Sequence, residues 1–319
     1  MRKISIIYDV TAMCPWNCPI CCMGASSDPS CRTHELTQKQ KLDVVRQIKE
    51  LSENGYDVRV DLSGGEIFTD IPAHKELLSA FSSAIGRDKL GVSCSGFGIT
   101  KDLAEFLSRT VHDVEMTMDV VPYRPYKLRP MGYSAAAAQA VPLLKAAGCK
   151  VGIQTVASTY NSDHDNALEV FSWACTNSVD NWSILRFFPS GRGADYPEAA
   201  MSDKQCEEYV HMVQNMTDNL PTLHKPAVDF HYLMPGHRKY TNVCRCVRHS
   251  IDVVACFWAL DSTTGAVEPK FLLGNVVNNS LLEILDGEKA HYWSDREHCC
   301  ELRYSIDPEG SDHHDVLSA

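Results

Sequence analysis

The chain of 319 residues lacks any apolar run long enough to cross a membrane. A membrane-spanning helix needs about 18 or more consecutive apolar residues, and the strongest candidate, IDVVACFWAL, is interrupted by Asp252 and ends at Asp261. The N-terminal run is also short, because Asp9 breaks it after about five residues, and no signal-peptide cleavage site follows. The sequence therefore predicts a cytoplasmic protein with no membrane partner.

An excess of positive charge is also missing, since the formal net charge is -11 at pH 7. Nucleic-acid binding depends on lysine and arginine side chains that neutralise phosphates, so we expect no nucleic-acid partner. The chain shows no low-complexity tract and no repeat with a period of about 20 to 50 residues.

Cysteine, in contrast, is abundant, and four of the 14 cysteines fall in the nine-residue stretch CPWNCPICC, which begins at Cys14. In a reducing compartment, clustered cysteines bind metal or carry out redox chemistry more often than they form disulfides. The C-x3-C-x2-C spacing of Cys14, Cys18 and Cys21 is too tight for an ordinary four-ligand zinc site. Three thiolates suit a 4Fe-4S cluster, in which one iron would have no protein ligand.

Strand and helix patterns alternate along the first 220 residues. β-branched apolar runs predict strands, and apolar residues at helical spacing predict the helices between them. The predicted strands cover residues 3–10, 58–66, 90–96, 114–120, 150–158 and 182–189, and the helices cover 37–53, 72–85, 101–109, 135–147, 164–177 and 203–216. Six such units predict an α/β fold, a partial (β/α)6 barrel of parallel strands with its chemistry at the C-terminal strand ends.

Two motifs at these strand ends resemble the radical S-adenosylmethionine (radical SAM) superfamily. They are C-x3-C-x-hydrophobic-C after the first strand and Gly64-Gly65-Glu66 after the second. The resemblance implies that Cys14, Cys18 and Cys21 bind the irons of a 4Fe-4S cluster. It also implies that an electron, supplied by a reductant such as flavodoxin or ferredoxin, cleaves S-adenosylmethionine to a 5'-deoxyadenosyl radical that abstracts hydrogen from a substrate carbon. An incidental zinc or redox cluster is the weaker alternative.

The same resemblance assigns cofactor contacts to single residues. Ile20 would lie against the adenine, Gly64 and Gly65 would let the backbone approach the methionine moiety, and Glu66 or its carbonyl would meet the amine. Cys22 falls outside the motif, so we interpret it as a buried structural residue. The further candidates for ribose or carboxylate contacts are Ser93, Ser95, Thr117, Asp119, Gln154, Asn161 and Arg186.

The segment 221–319 resembles the SPASM and twitch extensions of such enzymes, so we predict a domain boundary near residue 220. Lys270 stands where the second cysteine of that pattern would be, and two of the C-terminal cysteines are adjacent. We predict a second, auxiliary 4Fe-4S cluster with ligands drawn from Cys244, Cys246, Cys256, Cys299 and Cys300. An unligated Cys246 or Cys256 could instead donate hydrogen to a substrate radical, and a remnant fold with free thiols is the remaining alternative.

The substrate is the least determined part of the prediction. The resemblance favours modification of a peptide or natural-product precursor by crosslinking, epimerisation or oxidation. The alternatives are a dehydrogenase or epimerase of an aminocyclitol or sugar, and a non-catalytic iron-sulfur protein. Arg124, Lys127 and Arg129, just past the fourth strand, could meet an anionic substrate group or form a solvated loop.

Overall fold

A computed structural model describes residues 2–231, 233, 243–255 and 269–294. Strands and helices alternate through most of these residues. The strands described are β1 (Arg2–Asp9), β2 (Tyr56–Ser63), β3 (Leu90–Cys94), β4 (Asp113–Thr117), β5 (Lys150–Ala157), β6 (Asn181–Arg186), β7 (Ala227–His231), β8 (Val243–Val247), β9 (Asp252–Val254) and β10 (Leu272–Asn275). The helices described are α1 (Gln38–Glu53), α2 (Ile71–Ile85), α3 (Lys101–Thr110), α4 (Tyr133–Ala146), α5 (His164–Thr176), α6 (Asp203–Asn219), α7 (Leu281–Leu285) and α8 (Glu288–Tyr292). In these ranges no helix is long and apolar enough to span a membrane.

The strands form one sheet in the order β10-β9-β8-β1-β2-β3-β4-β5-β6-β7. From β8 through β1 to β7 every neighbouring pair is parallel, and only β9 and β10 run antiparallel to their neighbours. Each of β1 to β6 is followed by a helix before the next strand begins. The predicted partial barrel of six strand-helix units is therefore confirmed.

Local sequence explains where the helices begin. Thr37 accepts a hydrogen bond from the backbone N–H of Gln40, whose side chain bonds back to the Thr37 N–H, so that α1 starts with a capping box. Ser202 and Gln205 make the same pair of bonds at the start of α6. These caps satisfy backbone donors that the first helical turn leaves without a partner.

The two faces of β2 show how the sheet is packed. Tyr56, Val58, Val60 and Leu62 are buried and belong to the main apolar core, which also contains helix residues such as Ile48. The intervening residues of β2 are only half-buried. Since helices cover one face of such a sheet, the polar residues of β2 line the inside of the partial barrel.

An ionic layer crosses this inner face at the start of β3 and β4 and beside the middle of β2. The Arg59 guanidinium lies 2.7 Å from Asp61 and 2.8 Å from Asp113, which is on β4. The intervening residue on β3 is Gly91, where a Cβ would lie 2.2 Å from the Asp61 carboxylate and 2.6 Å from that of Asp113. The missing side chain therefore leaves the space in which the ion pairs form.

A second polar contact lies one layer further along the strands. The Glu115 carboxylate accepts a hydrogen bond from the Gln154 side chain. Burial raises the pKa of Glu115 to about 7, and the charges of Asp61 and Asp113 add to the rise. The inside of the partial barrel is thus polar and rich in carboxylates.

The segment after residue 220 adds strands to both sides of the sheet. β7 pairs with β6, and β8 pairs with β1 in a register that places Cys246 beside Ile7. A buried ion pair of 3.2 Å joins Arg248, just past β8, to Asp9 at the end of β1. Where the structure describes this segment, it therefore continues the barrel sheet, and the domain boundary near residue 220 stays a prediction.

Replacing Gly91 by alanine should destabilise the fold by filling the space of the ionic layer. Overpacking of this kind costs about 1 to 3 kcal/mol, so the free energy of unfolding in urea should fall by about that amount. Ser83→Ala on the exposed side of α2 is the control and should leave the unfolding midpoint nearly unchanged. An unchanged midpoint in Gly91→Ala would show that the ion pairs do not need the space.

Candidate active site

The loop that follows β1 contains the predicted cluster ligands and is closed at its base. The Cys14 N–H donates to the Ser26 carbonyl at 2.8 Å, and the Ser26 N–H donates to the Ala12 carbonyl at 3.1 Å. Met13 and Ser26 form a short parallel bridge. Residues 14 to 25, which we call the cysteine loop, therefore leave and return to the same point at the C-terminal end of β1.

A buried carboxylate supports this base. Glu35 accepts hydrogen bonds from the Thr11 hydroxyl at 2.9 Å and from the Ala12 N–H at 3.3 Å. Lys41 lies 2.7 Å from Glu35, and both side chains are only 4% exposed. Burial would raise the pKa of Glu35, but the hydrogen bond and charge of Lys41 hold it below its usual value. Glu35 is thus an ionised acceptor under the start of the cysteine loop.

The Gly64-Gly65-Glu66 motif at the end of β2 touches the same segment through its backbone. The Gly65 N–H donates to the Thr11 carbonyl and the Glu66 N–H to the Met13 carbonyl, each at 2.7 Å. Gly64 has φ of +136°, and a Cβ on Gly65 would lie 2.2 Å from the Met13 carbonyl oxygen. The glycines therefore allow close approach to the segment from which the cysteine loop departs, and their predicted contact with the methionine moiety stays a prediction.

The Glu66 side chain joins three strand ends. It is fully buried, accepts hydrogen bonds from the N–H of Ser95 at 2.8 Å and from the Ser95 hydroxyl, and has its pKa raised by burial. The Ser95 hydroxyl in turn accepts a 2.7 Å hydrogen bond from the indole of Trp16 in the cysteine loop. Because the carboxylate is occupied by Ser95, a contact between Glu66 and the cofactor amine also stays a prediction.

A second buried group approaches the cysteine loop from β4. Asp119 is fully buried, accepts a hydrogen bond from the Val156 N–H at 2.7 Å and pairs with Arg129 at 2.6 Å. Arg129 stacks on the Tyr133 ring at 4.7 Å and lies close enough to the Cys18 sulfur to oppose the rise in its pKa that burial causes. The Asp119–Arg129 pair therefore places a positive charge beside one predicted cluster ligand.

The other predicted cofactor residues lie in different environments, and some of them are already hydrogen-bonded to protein groups. Ile20 is 6% exposed and packs with Leu128 and Phe187 in a small apolar cluster. The Thr117 hydroxyl contacts that of Tyr133, and Ser93 is half-buried on β3. The remaining three are held by protein groups: Gln154 by Glu115, Asn161 by the Ser158 N–H and the Asp119 carbonyl, and Arg186 by Asp203 and the Met201 carbonyl.

The basic residues predicted to meet an anion are already partnered. Arg124 pairs with Asp163 at 2.9 Å and Glu169 at 3.2 Å. The Lys127 ammonium lies 3.7 Å from the centre of the Tyr160 ring. Of the three basic residues, Arg129 is the one placed at the cysteine loop.

The cysteine loop fits a metal cluster by its donors. Burial raises the pKa of Cys14 to about 12 and raises that of Cys18. Thiols in such surroundings stay protonated unless a metal binds, since coordination deprotonates a thiol outright. Among the described residues no three His, Cys, Asp or Glu side chains are grouped to hold a single metal ion. Three sulfurs spread along one loop are suited to a 4Fe-4S cluster.

Cys22 and Cys246 lie outside the three-cysteine motif. Burial raises the pKa of Cys22 to about 12, as it does that of Cys14, so the structural role of Cys22 stays a prediction. The Cys246 sulfur is fully buried and lies 3.7 Å from the Asp9 carboxylate. Cys244 lies two residues earlier on β8, opposite Ser5. Cys256, Cys299 and Cys300 lie outside the described residues, so the predicted auxiliary ligand set and hydrogen donors stay predictions.

Sequence reasoning missed three residues that shape the site, Trp16, Glu35 and Arg192. Trp16 and Glu35 make the contacts described above, and Arg192 bonds to the carbonyls of Cys18 and Ala25. None of the three belongs to a periodic pattern. The only signal for Trp16 was its place inside CPWNC.

Several solved structures share the fold of this chain. Streptococcus suis SuiB bound to S-adenosylmethionine aligns with a TM-score of 0.69 and 14% identity, over 91% of this chain and 67% of SuiB. SuiB bound to its precursor peptide SuiA aligns with a TM-score of 0.69 and 13% identity, over 91% of this chain and 66% of SuiB. The chain thus spans about two thirds of SuiB. The protein anSMEcpe with bound AdoMet and the Cp18Cys peptide aligns with a TM-score of 0.67 and 14% identity, over 95% of this chain and 87% of anSMEcpe. These likenesses show a shared fold.

Sequence comparisons identify the family. No curated protein matches the chain. The family model described as the radical SAM superfamily matches residues 8–169, which include the cysteine loop, the glycine motif and strands β2 to β5. Since this match covers half of the sequence, the chain belongs to the radical SAM superfamily.

Proposed function

We propose that this chain reductively cleaves S-adenosylmethionine and abstracts hydrogen from a carbon of a peptide or natural-product precursor. The observation that carries the proposal is the contact between the glycine motif and the base of the cysteine loop at one end of the sheet. The Gly65 and Glu66 N–H groups donate to the segment from which the cysteine loop departs. A reductant such as flavodoxin or ferredoxin would supply the electrons.

The protein groups have distinct tasks in this scheme. When bound, a 4Fe-4S cluster would supply the electron for cleavage of S-adenosylmethionine to the 5'-deoxyadenosyl radical. Cys14, Cys18 and Cys21 would hold the cluster, and Asp119 orients Arg129 toward the Cys18 side of the loop. Ile20 and Phe187 supply an apolar wall that excludes water beside the loop.

Two observations favour a peptide as the substrate. Solved structures of the same fold hold peptides, namely SuiA in SuiB and Cp18Cys in anSMEcpe. In the part of the chain that the structure describes, β7 and β10 are the two ends of an open sheet order. An open partial barrel admits a larger substrate than a closed eight-stranded barrel, whose interior side chains fill.

Removal of a predicted cluster ligand should abolish cleavage of S-adenosylmethionine. In reconstituted, dithionite-reduced protein, Cys21→Ala should lower 5'-deoxyadenosine formation by more than about 100-fold, since even indirect support of a metal site is worth about 10- to 100-fold. Cys22→Ala is the matched control, because it removes the neighbouring thiol outside the motif, and it should stay active. Equal activity in wild type and Cys21→Ala would contradict the assignment.

If the substrate is a peptide, we expect a short gene for the precursor peptide next to the gene for this chain. Incubation of that peptide with reduced protein and S-adenosylmethionine should change the peptide mass, and 5'-deoxyadenosine should form faster than without peptide. A peptide with its modified residue replaced serves as the control. Sugar-handling neighbours, together with turnover of an aminocyclitol or sugar and none of the peptide, would support the dehydrogenase or epimerase alternative instead.

We further propose the auxiliary 4Fe-4S cluster with ligands among Cys244, Cys246, Cys256, Cys299 and Cys300. Metal analysis of reconstituted protein should then give about eight irons per chain, from two clusters of four. The triple variant of Cys14, Cys18 and Cys21 to alanine should keep about four. A wild-type value of about four with none left in the triple variant would overturn the auxiliary cluster while leaving the first cluster intact.

A further inference from the structure

The loop after β6 reaches across the barrel mouth to the cysteine loop. Its residues Ser190–Gly193, which we call the SGRG loop, follow a strand that is not a neighbour of β1 in the sheet. A turn between Ser190 and Gly193 closes with a 3.0 Å hydrogen bond. The SGRG loop and the cysteine loop are therefore in contact although β6 and β1, the strands that precede them, are not neighbours in the sheet.

Arg192 makes three hydrogen bonds to the cysteine loop. Its Nε donates to the Cys18 carbonyl at 2.9 Å and its Nη2 to the Ala25 carbonyl at 2.7 Å. Its backbone N–H donates to the Cys21 carbonyl at 3.1 Å. The planar guanidinium can hold two separated carbonyls at once, which the single ammonium of lysine cannot do in the same geometry. One residue thus fixes both ends of the Cys18–Ala25 segment.

Gly191 brings the two backbones together beside Arg192. It has φ of +56°, in the left-handed region. A Cβ at this position would lie 2.3 Å from the Cys22 carbonyl oxygen and 2.7 Å from that of Cys21. Any larger residue would therefore push the SGRG loop away from the cysteine loop.

We propose that Arg192 is a positioning residue that holds the cysteine loop in its cluster-binding conformation and raises the reduction potential of the cluster. The proposal rests on the proposed function, because it assigns the cluster to this loop. Among the described residues no carboxylate lies within ion-pair distance of Arg192, whose polar contacts are the loop carbonyls. Reduction adds a negative charge to the cluster, and an uncompensated cation nearby stabilises that charge.

Hydrogen exchange in the protein without cluster tests the positioning role. Amides of residues 18–25 should exchange about tenfold faster in Arg192→Gln than in wild type, the factor that corresponds to ~1.4 kcal/mol. The exchange rate in Arg192→Lys should lie between those of wild type and Arg192→Gln, because lysine keeps the charge but cannot bond both carbonyls in the same geometry. Arg46→Gln on the exposed face of α1 is the control and should not change exchange in the loop.

The cluster-loaded protein tests the effect of charge. The midpoint potential should be more negative in Arg192→Gln than in wild type and close to wild type in Arg192→Lys. If Arg192→Gln does not fold by circular dichroism, Gly191→Ala replaces it in the exchange measurement. Unchanged exchange overturns the positioning role, and an unchanged potential in Arg192→Gln overturns the charge effect. A wild-type protein that binds no cluster would instead overturn the proposed function, and the exchange result would still stand.

Discussion

The site depends on contacts between backbones that only glycine permits. The cysteine loop contains turns but no helix or strand, so its conformation depends strongly on its neighbours. Gly65 approaches Met13 at the base of the loop from β2, and Gly191 approaches the loop from the segment after β6. At both places a Cβ would come within 2.3 Å of a carbonyl oxygen of the segment 13–22. The sheet thus holds the cysteine loop between its second and sixth strand ends.

Charge inside the partial barrel is arranged around this constraint. Inside the barrel, Arg59 is shared between Asp61 on β2 and Asp113 at the start of β4, so the carboxylates there are partly neutralised. At the mouth, Arg129 is fixed by Asp119, and Arg192 bonds to carbonyls instead of a carboxylate. The Arg129 and Arg192 guanidinium groups therefore lie beside the cysteine loop, where a reduced cluster would place negative charge.

Much of the fold was predictable because its patterns are local. Runs of β-branched apolar residues predict buried parallel strands, and all six strands predicted in this way are present in the structure. The cysteine spacing and the glycine pair were likewise visible in the sequence. The role of single polar residues was not, because Gln154 in a strand reads the same whether it contacts a ligand or, as here, Glu115. The contacts of Arg192 could not be predicted from local patterns either, because its partners are carbonyls about 170 residues away in the chain.

The C-terminal segment is tied to the cysteine loop by strand order. β8 lies against β1 in parallel, so Cys246 contacts Asp9 and Arg248 pairs with it. Burial raises the pKa of Asp9 to about 6 against the charge of Arg248. Asp9 is the last residue of the strand from which the cysteine loop departs. The proposed auxiliary cluster would therefore take two of its candidate ligands, Cys244 and Cys246, from the strand that pairs with β1, which leads into the cysteine loop.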